Sequence, residues 1–342
     1  MQINTVSFPS IFEPVFGNTE NSANDLLNGI KIKNGNNWYI AGNLAKFDGF
    51  SPKRIINASP EETDYEILFK AAMVIASGRI KNPISVTVGF PFSTYNIYKT
   101  PTEDFLTKRN FLIEYDTQTF NYTGAVKKAM IELEKFEVIP EIVGGIIGIK
   151  NIFGGQLSAG NFIVISLGFG TLEGAMASKK GLIQRTVFST YGLSYAVNNL
   201  NRELNKHYFL SMKNEFQLDD AMVNAHIVVN RKKIDLKPLR KEIIEQYYKS
   251  VISPAMRKYF ADSDFETCEN IYLIGGGANY EELVNCFKEE FRDILSVIVP
   301  NKPENTASIG YLYNTLRLTS GQPNQCIGLD LGNSSTVLAT IE

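Results

Sequence analysis

Apolar residues recur at helical spacing through residues 64–77, where Ile67, Leu68, Ala71, Val74 and Ile75 share a face and Gly78 follows as a stop. The same spacing predicts a helix over about 122–135, through Val126, Ala129, Met130 and Leu133. Two more follow, over 281–295 (Leu283, Val284, Phe287, Phe291, Ile294) and 305–318. Between them lie short apolar runs that read as strands: ISVTVGF at 84–90, FIVISL at 162–167 before Gly168, and IYLI at 271–274 before three glycines. Residues 136–140 look extended and stop at Pro140. Strands alternating with helices predict an α/β fold with mixed sheets. The Asn-, Gly- and Ser-rich stretch 17–36 reads as loop, and TSGQPNQ at 319–325 as a linker. Residues 326–342, CIGLDLGNSSTVLATIE, alternate twice around a Gly332-Asn333-Ser334-Ser335 turn. They predict a β-hairpin whose apolar face must pair with something else.

Length and charge narrow the class. A chain of 342 residues suggests two domains. Lys plus Arg is 34 and Asp plus Glu is 36, a net charge of −2, which argues against direct binding to a nucleic-acid backbone. No apolar run is long enough to span a membrane, and MQINTVSFPS lacks the basic and apolar regions of a secretory signal. A cytoplasmic location is therefore expected. Cys268, Cys286 and Cys326 have no metal spacing and form no even disulfide set. Two histidines, His207 and His226, are too few for a His-based metal cage or triad. The chemistry must then use carboxylates, hydroxyls and glycines.

Four segments offer it. The tip Asp330-Leu331-Gly332-Asn333-Ser334-Ser335-Thr336 has backbone N–H groups and hydroxyls that can cradle phosphate, with an aspartate able to hold a hydrated Mg²⁺. A plain hairpin turn explains it as well. Ser166-Leu167-Gly168-Phe169-Gly170-Thr171-Leu172-Glu173 repeats the pattern after a buried strand, or is simply a glycine-containing turn. Gly275-Gly276-Gly277-Ala278-Asn279 lets backbone approach a base or sugar closely, or is a strand-to-helix turn needing positive φ. Glu141, after Val138-Ile139-Pro140 and before Gly144 and Gly145, could orient an attacking water, or be a solvated surface glutamate. Taken together, two loops could grip one polyphosphate. There is no G-x-x-x-x-G-K-[ST] P-loop.

These residues resemble the actin/Hsp70/sugar-kinase ATPase superfamily, and within it the ParM-type plasmid-segregation actins of bacteria and archaea. Asp330 to Thr336 resembles the first phosphate loop and Ser166 to Glu173 the second. Val138 to Glu141 is similar to the first connecting segment, with Glu141 at the position of the catalytic glutamate. Ile274 to Asn279 resembles the adenosine motif, and Asn305 to Tyr311 the second connecting helix. Phe8-Pro9-Ser10 and Ala41 to Ala45 fit early segments, and Gly192 matches a glycine near the nucleotide. The resemblance implies an actin-like (ribonuclease H-like) two-domain α/β fold with a nucleotide cleft. Its first domain would span about 1–159 plus 305–342 and its second 160–304. It implies ATP or ADP, with GTP also open, and Mg²⁺ held through water by Asp330, with Ser166 and Glu173 as further metal-side candidates. The implied nucleotide contacts are Gly332, Asn333, Ser334, Ser335, Thr336, Gly168, Phe169, Gly170, Thr171, Gly192, Gly275, Gly276, Gly277 and Asn279.

The motif order departs from the family, because the first phosphate loop comes last. This implies a circular permutation in which strand 337–341 pairs with a strand at about 2–8, with 319–325 joining the original ends. Two residues also depart: Ser166 stands where the family's second loop has Asp, and Val337 where many members have a phosphate-contacting Lys. The basic stretch 229–241, with Arg231, Lys232, Lys233, Lys237, Arg240 and Lys241, could meet an anionic partner, a nucleotide edge or a filament contact, but reads better as a solvated helix start. The resemblance implies a filament-forming ATPase that segregates plasmid or other DNA through an adaptor protein, without gripping nucleic acid or membrane itself. The alternatives are a nucleotide-binding scaffold with weak or no hydrolysis and a small-molecule kinase.

Overall fold

In the computed structural model, which describes residues 2–15, 22–54, 59–157, 160–178, 180–208 and 215–342, the chain forms two units. One is Met1–Gly154 with Asn305–Glu342, the other Gly155–Glu304. The expected division at 159/160 touches residues 158 and 159, which lie outside the described residues, as do residues 17–21 of the expected loop.

The first unit opens with β1 (Ile3–Pro9), β2 (Ile11–Val15), β3 (Lys31–Asn34), β4 (Asn37–Ala41), α1 (Asn43–Asp48) and β5 (Lys53–Arg54). It continues with α2 (Thr63–Ser77), β6 (Ile84–Phe90), α3 (Phe92–Thr107), β7 (Asn110–Asp116), β8 (Val126–Pro140) and α4 (Glu141–Phe153). The second unit holds β9 (Asn161–Leu167), β10 (Thr171–Ser178), β11 (Gly181–Leu182), β12 (Phe188–Tyr191), α5 (Ser194–Tyr208), α6 (Glu215–Asn224), β13 (His226–Val229) and β14 (Lys232–Asp235). It ends with α7 (Lys237–Tyr247), α8 (Ser253–Tyr259), α9 (Asp262–Glu266), β15 (Cys268–Ile274), α10 (Glu281–Glu290) and β16 (Ser296–Ile298). The chain then returns through α11 (Thr306–Leu318), β17 (Cys326–Leu331) and β18 (Ser335–Ile341).

The sheet of the first unit has the order β1-β18-β17-β6-β8-β7-β3-β4-β2-β5. The expected hairpin is present, and β18 pairs antiparallel with β1 from Ile3↔Ile341 to Pro9↔Ser335. β1 ends the sheet and β2 lies near its other end, yet only Ser10 separates them in sequence. The sheet must therefore curl back on itself. It wraps α2, which touches strands from both halves of the order, including β17, β18, β3 and β4. α2 is buried almost all round, from Tyr65 through Ala76, rather than on the single face its spacing predicts. A helix enclosed by a curled sheet has little solvent side to mark with polar residues.

Three further expectations are corrected. Residues 126–135 are strand, not helix: Ala129, Ile131 and Leu133 are buried while Met130 and Glu132 are exposed, a period of two. The helical spacing of Val126, Ala129, Met130 and Leu133 is coincidental, and the antiparallel ladder with β7 decides the outcome. Lys31–Asn34 is strand rather than loop, and Lys31 buries its ammonium 3.1 Å from Asp116. The basic stretch holds the β13–β14 hairpin before α7 begins. Its Arg240 is not solvated, for it binds Glu282 and donates to the carbonyls of Met222 and Val223 at the end of α6.

The second unit's main sheet has the order β11-β10-β9-β15-β16, with β12 also on β10, and β15 runs parallel to both β9 and β16. α4 leads out of the first unit and α11 leads back. They cross with glycine against glycine: a Cβ at Gly310 would collide with the carbonyl of Gly144, and one at Gly148 with Thr306. Gly328 in β17 likewise lies against the backbone of α11. α11 is thus a spacer of fixed thickness between the first turn of α4 and β17.

Candidate functional site

In the first unit β17, β6 and β8 are parallel neighbours, with Leu329 level with Val88 and Val88 level with Val138. Their carboxyl ends therefore share one edge, the edge outside which ligands bind in open α/β sheets. Asp330 lies one residue beyond Leu329. Glu141 lies just past Pro140, which ends β8 and caps α4, so Glu141 is the first residue of that helix. These two carboxylates, 189 positions apart in the chain, lie at that edge, and α11 packs to backbone contact against both of their elements. Burial, and then the nearby charge of Glu141, push the Asp330 carboxyl well above the usual carboxylate range. A carboxylate held in this way favours a neutralising partner, either a proton or a cation.

Next to Asp330 the hairpin turns through Gly332, Asn333 and Ser334 before β18 starts at Ser335. Thr336 is fully buried, and its hydroxyl lies 3.0 Å from that of Ser10, which is equally buried. The backbone N–H of Ser10 donates to the Ser334 carbonyl at 3.0 Å. Thr336 therefore faces the protein behind the turn, while Gly332 to Ser335 form the turn itself. Sequence reasoning singled out Phe8-Pro9-Ser10 only as a matching segment. The one local signal at Ser10 is a Pro-Ser pair between two apolar runs, which does not say what it touches.

The second unit gathers its candidates at the carboxyl ends of β9 and β15, where Ser166 is level with Ile274. The carbonyls of Gly168, Phe169 and Gly170 accept from the N–H groups of Leu193, Ser194 and Gly192. The second loop is thereby sewn to the start of α5. Gly192 has no room for a side chain, since a Cβ would stand 2.5 Å from the Phe169 carbonyl oxygen. Gly275 has φ of +82° and rests on the backbone of Leu167, and its N–H donates to the Pro303 carbonyl. A Cβ on Gly276 would meet open space, so this glycine keeps a backbone surface clear. Asn279 donates to Glu304 at 3.0 Å. Glu173 is fully buried and directly opposite Ser166 across the β9–β10 pair, so both side chains share one sheet face.

Among the described residues no three His, Cys, Asp or Glu side chains gather into a metal cage. Burial pushes the Cys268 thiol up to about 12 and that of Cys286 up to about 11, which makes both poor nucleophiles. No described helix is long and apolar enough to cross a membrane.

Neither a protein-family model nor a curated protein sequence matches the chain. Solved structures do. The archaeal actin homologue Ta0583 matches with a TM-score of 0.71 at 18% identity, over 91% of this chain and 92% of that one. The fold is actin-like. A ParM from a 15-stranded filament of Clostridium botulinum matches with a TM-score of 0.71 at 17% identity, over 91% and 92% of the two chains. Bacillus thuringiensis ParM, solved with ATP, matches with a TM-score of 0.58 at 13% identity, over 92% of each chain. At these identities the likeness carries the mixed α/β actin-like fold and nothing finer.

Proposed function

We propose that the chain binds ATP, hydrolyses it and assembles into filaments of its own copies. The observation that carries the reading is the pair Asp330 and Glu141, which share one carboxyl edge beside a turn of Gly332, Asn333, Ser334 and Ser335. In the first unit the proposed phosphate contacts are that turn; in the second unit Gly168–Thr171 is the proposed phosphate loop, and Gly275–Asn279 with Gly192 the proposed nucleoside contacts. Thr336 supports the turn from behind. Glu141 orients water for in-line attack on the γ-phosphate, and Asp330 stays unprotonated when a cation replaces its proton. Mg²⁺ would be held through water by the Asp330 carboxylate and would supply charge neutralisation of the phosphates. The glycine turn has no feature that selects adenine over guanine, so GTP is the control nucleotide.

Several observations support this assignment beyond the carboxylate pair. Similar folds have been solved with ADP, with ATP and as a filament. The task proposed for such a filament is cytomotive: moving plasmid or other DNA through an adaptor protein, in keeping with the net charge of −2. We also propose that the order of elements is a circular permutation. In support, β17 and β18 close the sequence but sit between β6 and β1 in the sheet. The deciding experiment is light scattering with negative-stain microscopy, with and without ATP and Mg²⁺. Filaments that require nucleotide, with phosphate release that tracks assembly, are expected; their absence at high protein concentration overturns the reading.

One observation favours a second reading, a nucleotide-binding scaffold with little hydrolysis. Ser166 stands where the resembled loop has Asp, and the nearest carboxylate in the ladder is Glu173 on the opposite strand. Tight ATP binding with phosphate release at background would select this alternative. Glu173→Gln tests whether that carboxylate compensates.

A further inference from the structure

We infer that Ser10 is a positioning residue for the phosphate turn, holding Gly332–Ser335 in its ligand-ready shape through Ser334 and Thr336. The inference rests on the nucleotide reading above. A turn of glycine and small polar residues has many accessible shapes, and the β17–β18 ladder stops at Leu331↔Thr336. Two bonds from Ser10 remove that freedom. Its N–H fixes the Ser334 carbonyl at 3.0 Å, and its hydroxyl meets the Thr336 hydroxyl at 3.0 Å. A peptide unit is planar and trans, so fixing the Ser334 carbonyl toward Ser10 turns the Ser335 N–H to the opposite side. That N–H then lies on the side of β18 away from β1, toward the inside of the turn, where an anion cradle draws its donors.

Ser10 can do this because it is itself anchored on both sides. Pro9 forms the last rung of the β1–β18 ladder, opposite Ser335. On the other side the Ile11 carbonyl accepts from the Gly42 N–H at 2.9 Å, and β2 is paired with β4. The kink between β1 and β2 thus connects the phosphate turn to the β2–β4 half of the sheet. The sequence separation is 326 residues, so no local rule could have paired them.

The test uses the full-length chain. Ser10→Ala is expected to weaken ATP binding by about five- to tenfold in calorimetric titration with Mg²⁺, the worth of one buried hydrogen bond. It should also speed amide hydrogen exchange over 330–336 in the absence of nucleotide. Ser10→Thr, which keeps an oxygen at the site, should recover affinity. Thr119→Ala removes an equally buried hydroxyl, bonded to the Gly29 carbonyl, and should leave ATP affinity and the exchange of 330–336 unchanged. In a Thr336→Val background Ser10→Ala should cost less than it does alone. Unchanged exchange and affinity in Ser10→Ala, an equal loss in Thr119→Ala, or full additivity with Thr336→Val would each overturn the inference. If the unmodified chain binds no nucleotide, the functional reading falls, while the exchange measurement still decides whether Ser10 holds the turn.

Discussion

The two carboxyl-edge regions are built from different materials. In the first unit the edge carries charged side chains, Asp330 and Glu141, and burial, then the charge of Glu141, raise the proton affinity of Asp330. In the second unit it carries backbone: carbonyls of Gly168–Gly170 sewn to α5, Gly275 at positive φ and Gly276 open to solvent. Under the proposed function the difference would separate two jobs. Charge and proton transfer need side chains at a set distance, whereas close approach to a flat or extended ligand needs the absence of side chains. Substitutions in the first region should therefore change turnover and cation dependence, and those in the second affinity and fit.

The largest expected effect tests that division directly. Glu141→Ala should lower phosphate release by about a hundredfold or more while ATP still binds in equilibrium titration. Turnover left unchanged would remove the side-chain role from the first region. Asp330→Asn should abolish the Mg²⁺ dependence of ATP binding and also alter stability in the ligand-free chain. Because the folded Asp330 carboxyl titrates above its unfolded value, its contribution favours folding at low pH and is lost as pH rises through the raised value. The unmodified chain should therefore lose more melting temperature between pH 5 and pH 8 than Asp330→Asn does, as read from thermal melts across that range.

In the second region the effects should be sterically graded. Gly275→Ala forces a side chain into φ of +82° against Leu167, and should cost about 1–3 kcal/mol in denaturant unfolding. Gly276→Ala meets no protein atom, so it should leave stability alone and weaken nucleotide affinity severalfold. If Gly276→Ala leaves affinity intact, the backbone surface is not where the nucleoside lies. The smallest effect belongs to a pair away from both edges. Arg185 grips the buried Asp264 carboxylate and holds it below its usual range. That stabilisation is present above the unfolded carboxylate pKa and is lost as pH falls through the lowered value. Arg185→Leu should reduce melting temperature near neutral pH, with the gap to the unmodified chain closing under acid conditions.

Much of this was legible in the sequence where the signal is local. Apolar runs ending in glycine marked β9 and β15, and the alternation around Gly332–Ser335 marked the last hairpin, because strand period and turn chemistry are written in adjacent residues. The helix expected over about 122–135 fails because four apolar positions fit a 3.6 spacing by chance, while the ladder partner that makes a strand of Val126–Pro140 is in β7. The burial of α2 on all sides was hidden for a related reason: a sequence does not state that a sheet will close around a helix.

What the sequence by itself determined is the inventory of candidates: glycine turns, hydroxyls and two carboxylates at strand ends, with two His and three Cys. The tertiary structure alone decided which of these meet. Glycines let α11 pack to backbone contact with α4 and β17, the elements that carry Glu141 and Asp330, and Ser10 arrives at the back of the Gly332–Ser335 turn. Both contacts join residues far apart in the chain. The physical reason is that closing such distances draws on the burial of a whole core, which no single segment of sequence encodes.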